Sequence, residues 1–242
     1  MIASTLFIFA GCSDIVAGAG EFGRITYHLN TPFEIEEFIL TEAKLVTGYS
    51  QEIQTNLTPG GYAKSEQPYL IRHSSETAGA MVDSHLLDEL IFNVPDFSIS
   101  SSEPGDVVVE SRLEGALFDR ITLGFEMPDD LEIISWIRDP GEADFSKKTG
   151  GAIDVDLGSQ ITMLPIPTSE GKRLAGAVEV SIEASPVSSF VQNFNIEEVG
   201  EDGVVANQTP VSFFFVEPGL VEITITDIVN NVSTIQEYQV SN

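Results

Sequence analysis

The strongest constraint on this chain is a period-two pattern that occurs twice at a fixed spacing. In Asp106-Val-Val-Val-Glu-Ser-Arg-Leu113, and again in Val221-Glu-Ile-Thr-Ile-Thr-Asp-Ile228, apolar and polar residues alternate, so each segment has one dry face. Segments of this kind form half-buried strands of antiparallel sheet. Glu103-Pro104-Gly105 opens the first and Glu217-Pro218-Gly219 the second, at an offset of 114 residues. A Glu114-Gly115 turn then leads into Phe118 to Phe125, and an Asn230-Asn231 turn into Ser233 to Val240. Each copy therefore closes as a β-hairpin whose turn residues tolerate positive φ. Upstream, Lys44-Leu-Val-Thr-Gly-Tyr-Ser-Gln-Glu-Ile53 corresponds to Asp154-Val-Asp-Leu-Gly-Ser-Gln-Ile161 at an offset of about 110, each a strand, a glycine turn and a strand. No long segment sustains a helical stripe. The nearest is Met81 to Phe92, where Leu86, Leu87, Leu90 and Ile91 allow one or two turns.

Two all-strand units of this size imply tandem β-sandwiches. A Pro-Gly followed by alternating Val, Ile and Thr near the end of each copy is similar to the ending of bacterial immunoglobulin-like domains. The resemblance implies an all-β fold of two tandem immunoglobulin-like antiparallel β-sandwiches, over residues 21–127 and 128–242. The junction Glu126-Met-Pro-Asp-Asp130 is short, so the sequence predicts domains nearly in contact with limited motion between them.

Ahead of the first unit, residues 2–10 form an uncharged, largely apolar run. Crossing a bilayer core of about 30 Å as a helix takes roughly 20 residues, so this is the h-region of a signal peptide rather than a span. Phe9-Ala10-Gly11-Cys12 resembles the bacterial lipobox and holds the only cysteine of the chain. That resemblance implies cleavage after residue 11 and lipidation of Cys12, with diacylglycerol on the thiol and an acyl chain such as palmitate on the new N-terminus. Ser13 after the cysteine resembles the pattern exported to an outer membrane. Residues 1–11 are then the signal peptide, and residues 12–20, rich in Ala and Gly, read as a flexible tether. One cysteine also excludes an intramolecular disulfide and a cysteine-based zinc site.

With 38 Asp and Glu against 11 Lys and Arg, the formal charge is −27, which excludes nucleic acid as a partner because phosphate binding needs a basic footprint. The acids are spread along the strands and read as a surface coat. No His-x-x-x-His and no Gly-x-Ser-x-Gly occurs. Arg72-His73-Ser74-Ser75-Glu76 sets a base, hydroxyls and a carboxylate side by side, but neighbours on a strand point to opposite faces and make no triad. The best candidate for a metal is calcium in the loop carrying Asp139, Glu142 and Asp144, joined by Asp129 and Asp130, since hard cations take converging oxygen ligands. No other cofactor is implied. Trp136 reads as core, and Phe213-Phe214-Phe215 cannot all face one way. Together these features point to a lipid-anchored protein of the cell envelope, at the outer membrane or cell surface, held to the membrane through its lipid. Its role would be non-enzymatic binding, adhesion or scaffolding toward a protein or glycan partner. The alternative is a carbohydrate-active or other hydrolytic accessory protein with a carboxylate site at the domain junction, drawn from Asp129, Asp130 and Glu142.

Overall fold

The computed structural model describes residues 14–31, 40–58, 71–84, 94–186, 190–192, 198–200, 203–206 and 211–242. Every regular element among them is a strand. By contact the chain forms two compact units. One comprises Met1–Lys44, Gln51–Ile99 and Asp106–Gly124, the other Leu45–Ser50, Ser100–Gly105 and Phe125–Asn242.

In the first unit, β1 (Asp14–Ala19), β2 (Ile25–Thr31), β4 (Gln51–Leu57), β7 (Phe97–Ser101) and β6 (Ala80–Ser84) make one sheet in that order. Another sheet runs β3 (Lys44–Val46), β9 (Ala116–Glu126), β8 (Gly105–Leu113), β5 (Ile71–Ser74), of which Leu45–Val46, Gly105 and Phe125–Glu126 count by contact with the second unit. Alternation puts Tyr27, Leu29, Ile53, Phe97, Ile99, Val107 and Val109 inside. Met81 to Ser84, expected at the start of a helical turn, lie in β6, and residues 85–92 fall outside the described residues.

The second unit repeats this plan. β11 (Ser146–Thr149), β10 (Asp130–Arg138), β13 (Gln160–Ser169), β19 (Val211–Phe215) and β16 (Phe190–Gln192) form one sheet, with β14 (Lys172–Arg173) pairing β13. The facing sheet runs β12 (Ile153–Asp156), β21 (Val232–Ser241), β20 (Gly219–Asp227), β15 (Val180–Ser185), β18 (Gly203–Ala206), β17 (Glu198–Gly200). β12 pairs β21 in parallel while β11 and β13, its chain neighbours, belong to the other sheet. Two facing, largely antiparallel sheets per unit, with the last hairpin β20–β21 in one of them, make the immunoglobulin-like arrangement, so the fold is all-β with two immunoglobulin-like sandwiches. The sequence repeat reappears in the backbone. Gly48 and Gly158 adopt φ of 84° and 85°, and Gly105 and Gly219 φ of 137° and 138°, values that side chains resist.

Residues 14–19 are the strand β1 and not a tether: six residues pair antiparallel with β2, from Asp14 opposite Thr31 to Ala19 opposite Thr26. Their small residues serve close packing. A Cβ on Gly18 would meet the Leu40 Cβ at 3.3 Å, and one on Gly20 would meet the Asp119 carboxylate at 2.4 Å. That carboxylate is fully buried. It accepts the backbone N–H of Phe22 and Arg120 on Oδ1 at 2.9 Å each, and of Arg24 and Ile25 on Oδ2 at 2.8 Å each. Backbone donors thus replace the water a carboxylate would otherwise hold, and they fix the β1–β2 turn. Asp119→Ala removes the acceptor of four backbone N–H groups, that of Ile25 fully buried, and should lower the unfolding free energy by about 2–3 kcal/mol. Chemical denaturation checks this, and an unmoved midpoint would contradict the role of the carboxylate.

Candidate functional site

The histidine that a triad would need is enclosed. His73 Nε2 lies 2.8 Å from the Pro95 carbonyl, which can only accept, so Nε2 carries the proton and Nδ1 accepts from Ser111 Oγ at 2.9 Å. Ser111 Oγ in turn lies 2.8 Å from Tyr27 Oη. Both ring nitrogens are occupied by the fold, and the ring stacks near Phe97 with centroids 4.6 Å apart. Burial pushes the His73 imidazole down to about 4 and the Tyr27 phenol up.

The acidic loop does not assemble. Asp139 accepts from Ser159 Oγ at 2.6 Å, Glu142 and Asp144 stand exposed, and among the described residues no group of three His, Cys, Asp or Glu is placed to hold a metal ion. Asp129 accepts the Glu170 N–H at 2.9 Å, and Asp130 opens β10 while Asp139 follows its end. Nine strand residues at about 3.3 Å each separate the two acidic groups by about 30 Å, whereas a hydrolytic carboxylate pair needs about 5–10 Å. The length of β10 thus holds Asp129 and Asp130 apart from Asp139 and Glu142. Cys12 lies outside the described residues.

Trp136 is not core. The core face of β10 is Leu131, Ile133, Ser135 and Ile137, which leaves Trp136 half-buried on the other face, opposite Lys147 and Thr162. Phe213 and Phe215 are core and Phe214 points away from it, as a three-residue aromatic run on a strand requires. On the outward side of this sheet Ile134, Leu164 and Ile166 are nonetheless buried.

The facing sheet is different. Register places Leu220 opposite Gln239, Glu222 opposite Glu237, Thr224 opposite Ile235 and Thr226 opposite Ser233 on its outer side. Glu183 of β15 lies beside Thr224, and Asp154 of β12 beside Gln239. Leu220 is 50% and Ile235 61% exposed. No Lys or Arg occurs in β12, β21, β20 or β15. In the first unit, by contrast, Glu110 of β8 is paired by Arg112 at 2.5 Å.

Two buried groups hold this face in register. Asp227, fully buried at the end of β20, accepts from Tyr49 Oη at 2.6 Å, from Val229 N and Asn230 N at 3.0 Å and from Asn230 Nδ2 at 2.9 Å. Burial and the Asp227 carboxylate hold the Tyr49 phenol above its usual range. Tyr49 is the extra residue of Thr47-Gly-Tyr-Ser-Gln51 relative to Leu157-Gly-Ser-Gln160, and it enters the core of the second unit with Val46. Gln236, buried beside Ile235, donates to the Gly151 carbonyl at 2.6 Å. Sequence reasoning missed both, although the signal for Ile235 is visible: Tyr238 and Val240 set the dry phase, and Ile235 is out of step with it.

The fold and this face define an all-β immunoglobulin-like protein with an open, acidic sheet surface among the described residues. No protein-family model and no curated protein matches the chain. Among solved structures it is similar to the D0-D1 domain of intimin, with 10% identity and a TM-score of 0.30 over 83% of this chain and 96% of that one. It is also similar to the Escherichia coli adhesin FdeC, at 12% identity and 0.29 over 93% and 74%, and to domains 4 and 5 of the S-layer protein SbsC, at 12% and 0.30 over 82% and 92%. The fold assignment stands on the strand order and registers above.

The neutral His73 makes stability depend on pH. Its folded value of about 4 lies below the ordinary 6.5, so between these the unfolded chain binds a proton that the folded chain refuses. Its contribution, on the order of 3 kcal/mol, is complete above the ordinary value and is lost as pH falls toward the folded one. Denaturation midpoints followed through that window should fall for the natural chain and flatten for His73→Gln; equal slopes would contradict the buried neutral ring.

Proposed function

We propose that this chain is a non-enzymatic binding protein of the bacterial cell envelope, anchored by lipid at Cys12 and displaying its immunoglobulin-like sandwiches at the outer membrane or cell surface. One observation carries the binding role. The buried groups that chemistry could use, His73, Asp119 and Asp227, are each bonded into strands and turns, while the open face of β12, β21, β20 and β15 sets Glu222 opposite Glu237 beside exposed Leu220 and Ile235 with no Lys or Arg in its strands. A surface arranged in this way suits recognition and supplies no positioned acid, base or nucleophile.

The lipobox-like Phe9-Ala10-Gly11-Cys12 supports the anchor. β1 begins two residues after Cys12, so a lipid there would hold the first sandwich against the bilayer with little slack. Cys12→Ser should move the protein from the membrane fraction to the soluble fraction and abolish incorporation of labelled fatty acid. Retention of the variant at the membrane would overturn the anchor.

A further inference from the structure

The open face carries two features that are unfavourable in the isolated protein. Like charges directly opposite on neighbouring strands are destabilising, and Glu222 faces Glu237 in the middle of the closing hairpin. Among the described residues neither takes part in a salt bridge. Immediately beside this pair, Ile235 stands out from the sheet, and Leu220 does so on the other side of it. Successive outward residues are about 7 Å apart along a strand and neighbouring strands about 4.8 Å apart. Leu220, the Glu222–Glu237 pair and Ile235 therefore form one contiguous strip that alternates apolar, anionic, apolar. Glu183 and Asp154 flank it, and none of its strands contributes a cation.

Resting on the binding role above, we propose that this strip docks a basic protein segment in which Lys or Arg side chains are interspersed with aliphatic ones. Charge complementarity selects the occupant. A second copy of the chain, at −27, and an anionic lipid surface are both repelled, whereas a cationic segment neutralises the opposed glutamates and covers both aliphatics. The same two contacts relieve both unfavourable features, so the free energy stored on the face adds to binding. The acid coat elsewhere would attract any cation; what distinguishes the strip is that attraction and apolar contact coincide.

The test uses the full chain, 15N-labelled, titrated with a lysine-rich peptide containing leucines and with a lysine-only peptide of equal length. The leucine-bearing peptide should shift the amide signals of Leu220, Glu222, Thr224, Ile235 and Glu237, and bind roughly tenfold more tightly than the lysine-only one. Ile235→Thr should remove that difference. Replacing Glu222 and Glu237 by Gln should weaken binding and flatten its salt dependence, while raising the melting temperature, because the like-charge pair is gone. Shifts scattered over the acidic surface of both units, or equal affinity for the two peptides, would overturn the proposal. No membrane enters these measurements, so their failure leaves the Cys12 anchor standing, and retention of Cys12→Ser at membranes leaves the docking strip standing.

Discussion

The register of the last hairpin determines what this protein presents to solvent. Side chains on a strand alternate with a period of two, so moving β21 by one residue against β20 would exchange every inward and outward position. In the observed register Gln236 is inside and Ile235 outside, the reverse of what hydrophobicity would choose at those two positions. Tyr238 and Val240 set the phase of the strand, and buried polar contacts hold it there. Asp227 gathers the turn backbone, Asn230 and Tyr49 onto one carboxylate, and Gln236 reaches the Gly151 carbonyl, so slipping the strand would break a set of buried hydrogen bonds at once.

The same device recurs in the first unit, where Asp119 holds the β1–β2 turn. In a chain with so few cations, Asp119 and Asp227, the carboxylates completely enclosed among the described residues, are satisfied by backbone and neutral side-chain donors rather than by Lys or Arg. No other Asp or Glu is buried among the described residues, so those acids meet water and salt that screen them. Burial and charge are thereby kept apart: the cores are dry, the enclosed carboxylates are fully bonded, and repulsion is confined to the exterior. The opposed glutamates on β20 and β21 mark where that exterior repulsion is concentrated next to exposed aliphatic surface.

Much of the architecture was legible in the sequence. The Pro-Gly strands, the Glu114-Gly115 and Asn230-Asn231 turns and the glycine turns at Gly48 and Gly158 all appear in the fold, because period two and positive φ are local properties written directly in residue type. Long-range properties were less visible. The small residues before Gly20 suggested slack, yet they form β1, and the partners that crowd Gly18 and Gly20, Leu40 and Asp119, are distant in sequence. Trp136 was expected in the core because aromatic residues on strands usually are; its phase relative to Leu131, Ile133 and Ile137 places it on the opposite face. The acidic residues at the two ends of β10 looked like one cluster only while the strand between them had no length. For the candidate face, Ile235 was the available signal, an apolar residue on the polar phase of its strand.

The account therefore depends on Ile235 being outside and Gln236 inside, and thiol accessibility tests that directly. In a Cys12→Ser background, the cysteine introduced by Ile235→Cys should react with a water-soluble maleimide as fast as an unstructured thiol, while that introduced by Gln236→Cys should stay protected until the chain unfolds. Rapid labelling at 236 with protection at 235 would mean the opposite register, and with it the loss of the exposed strip on which the functional reading rests.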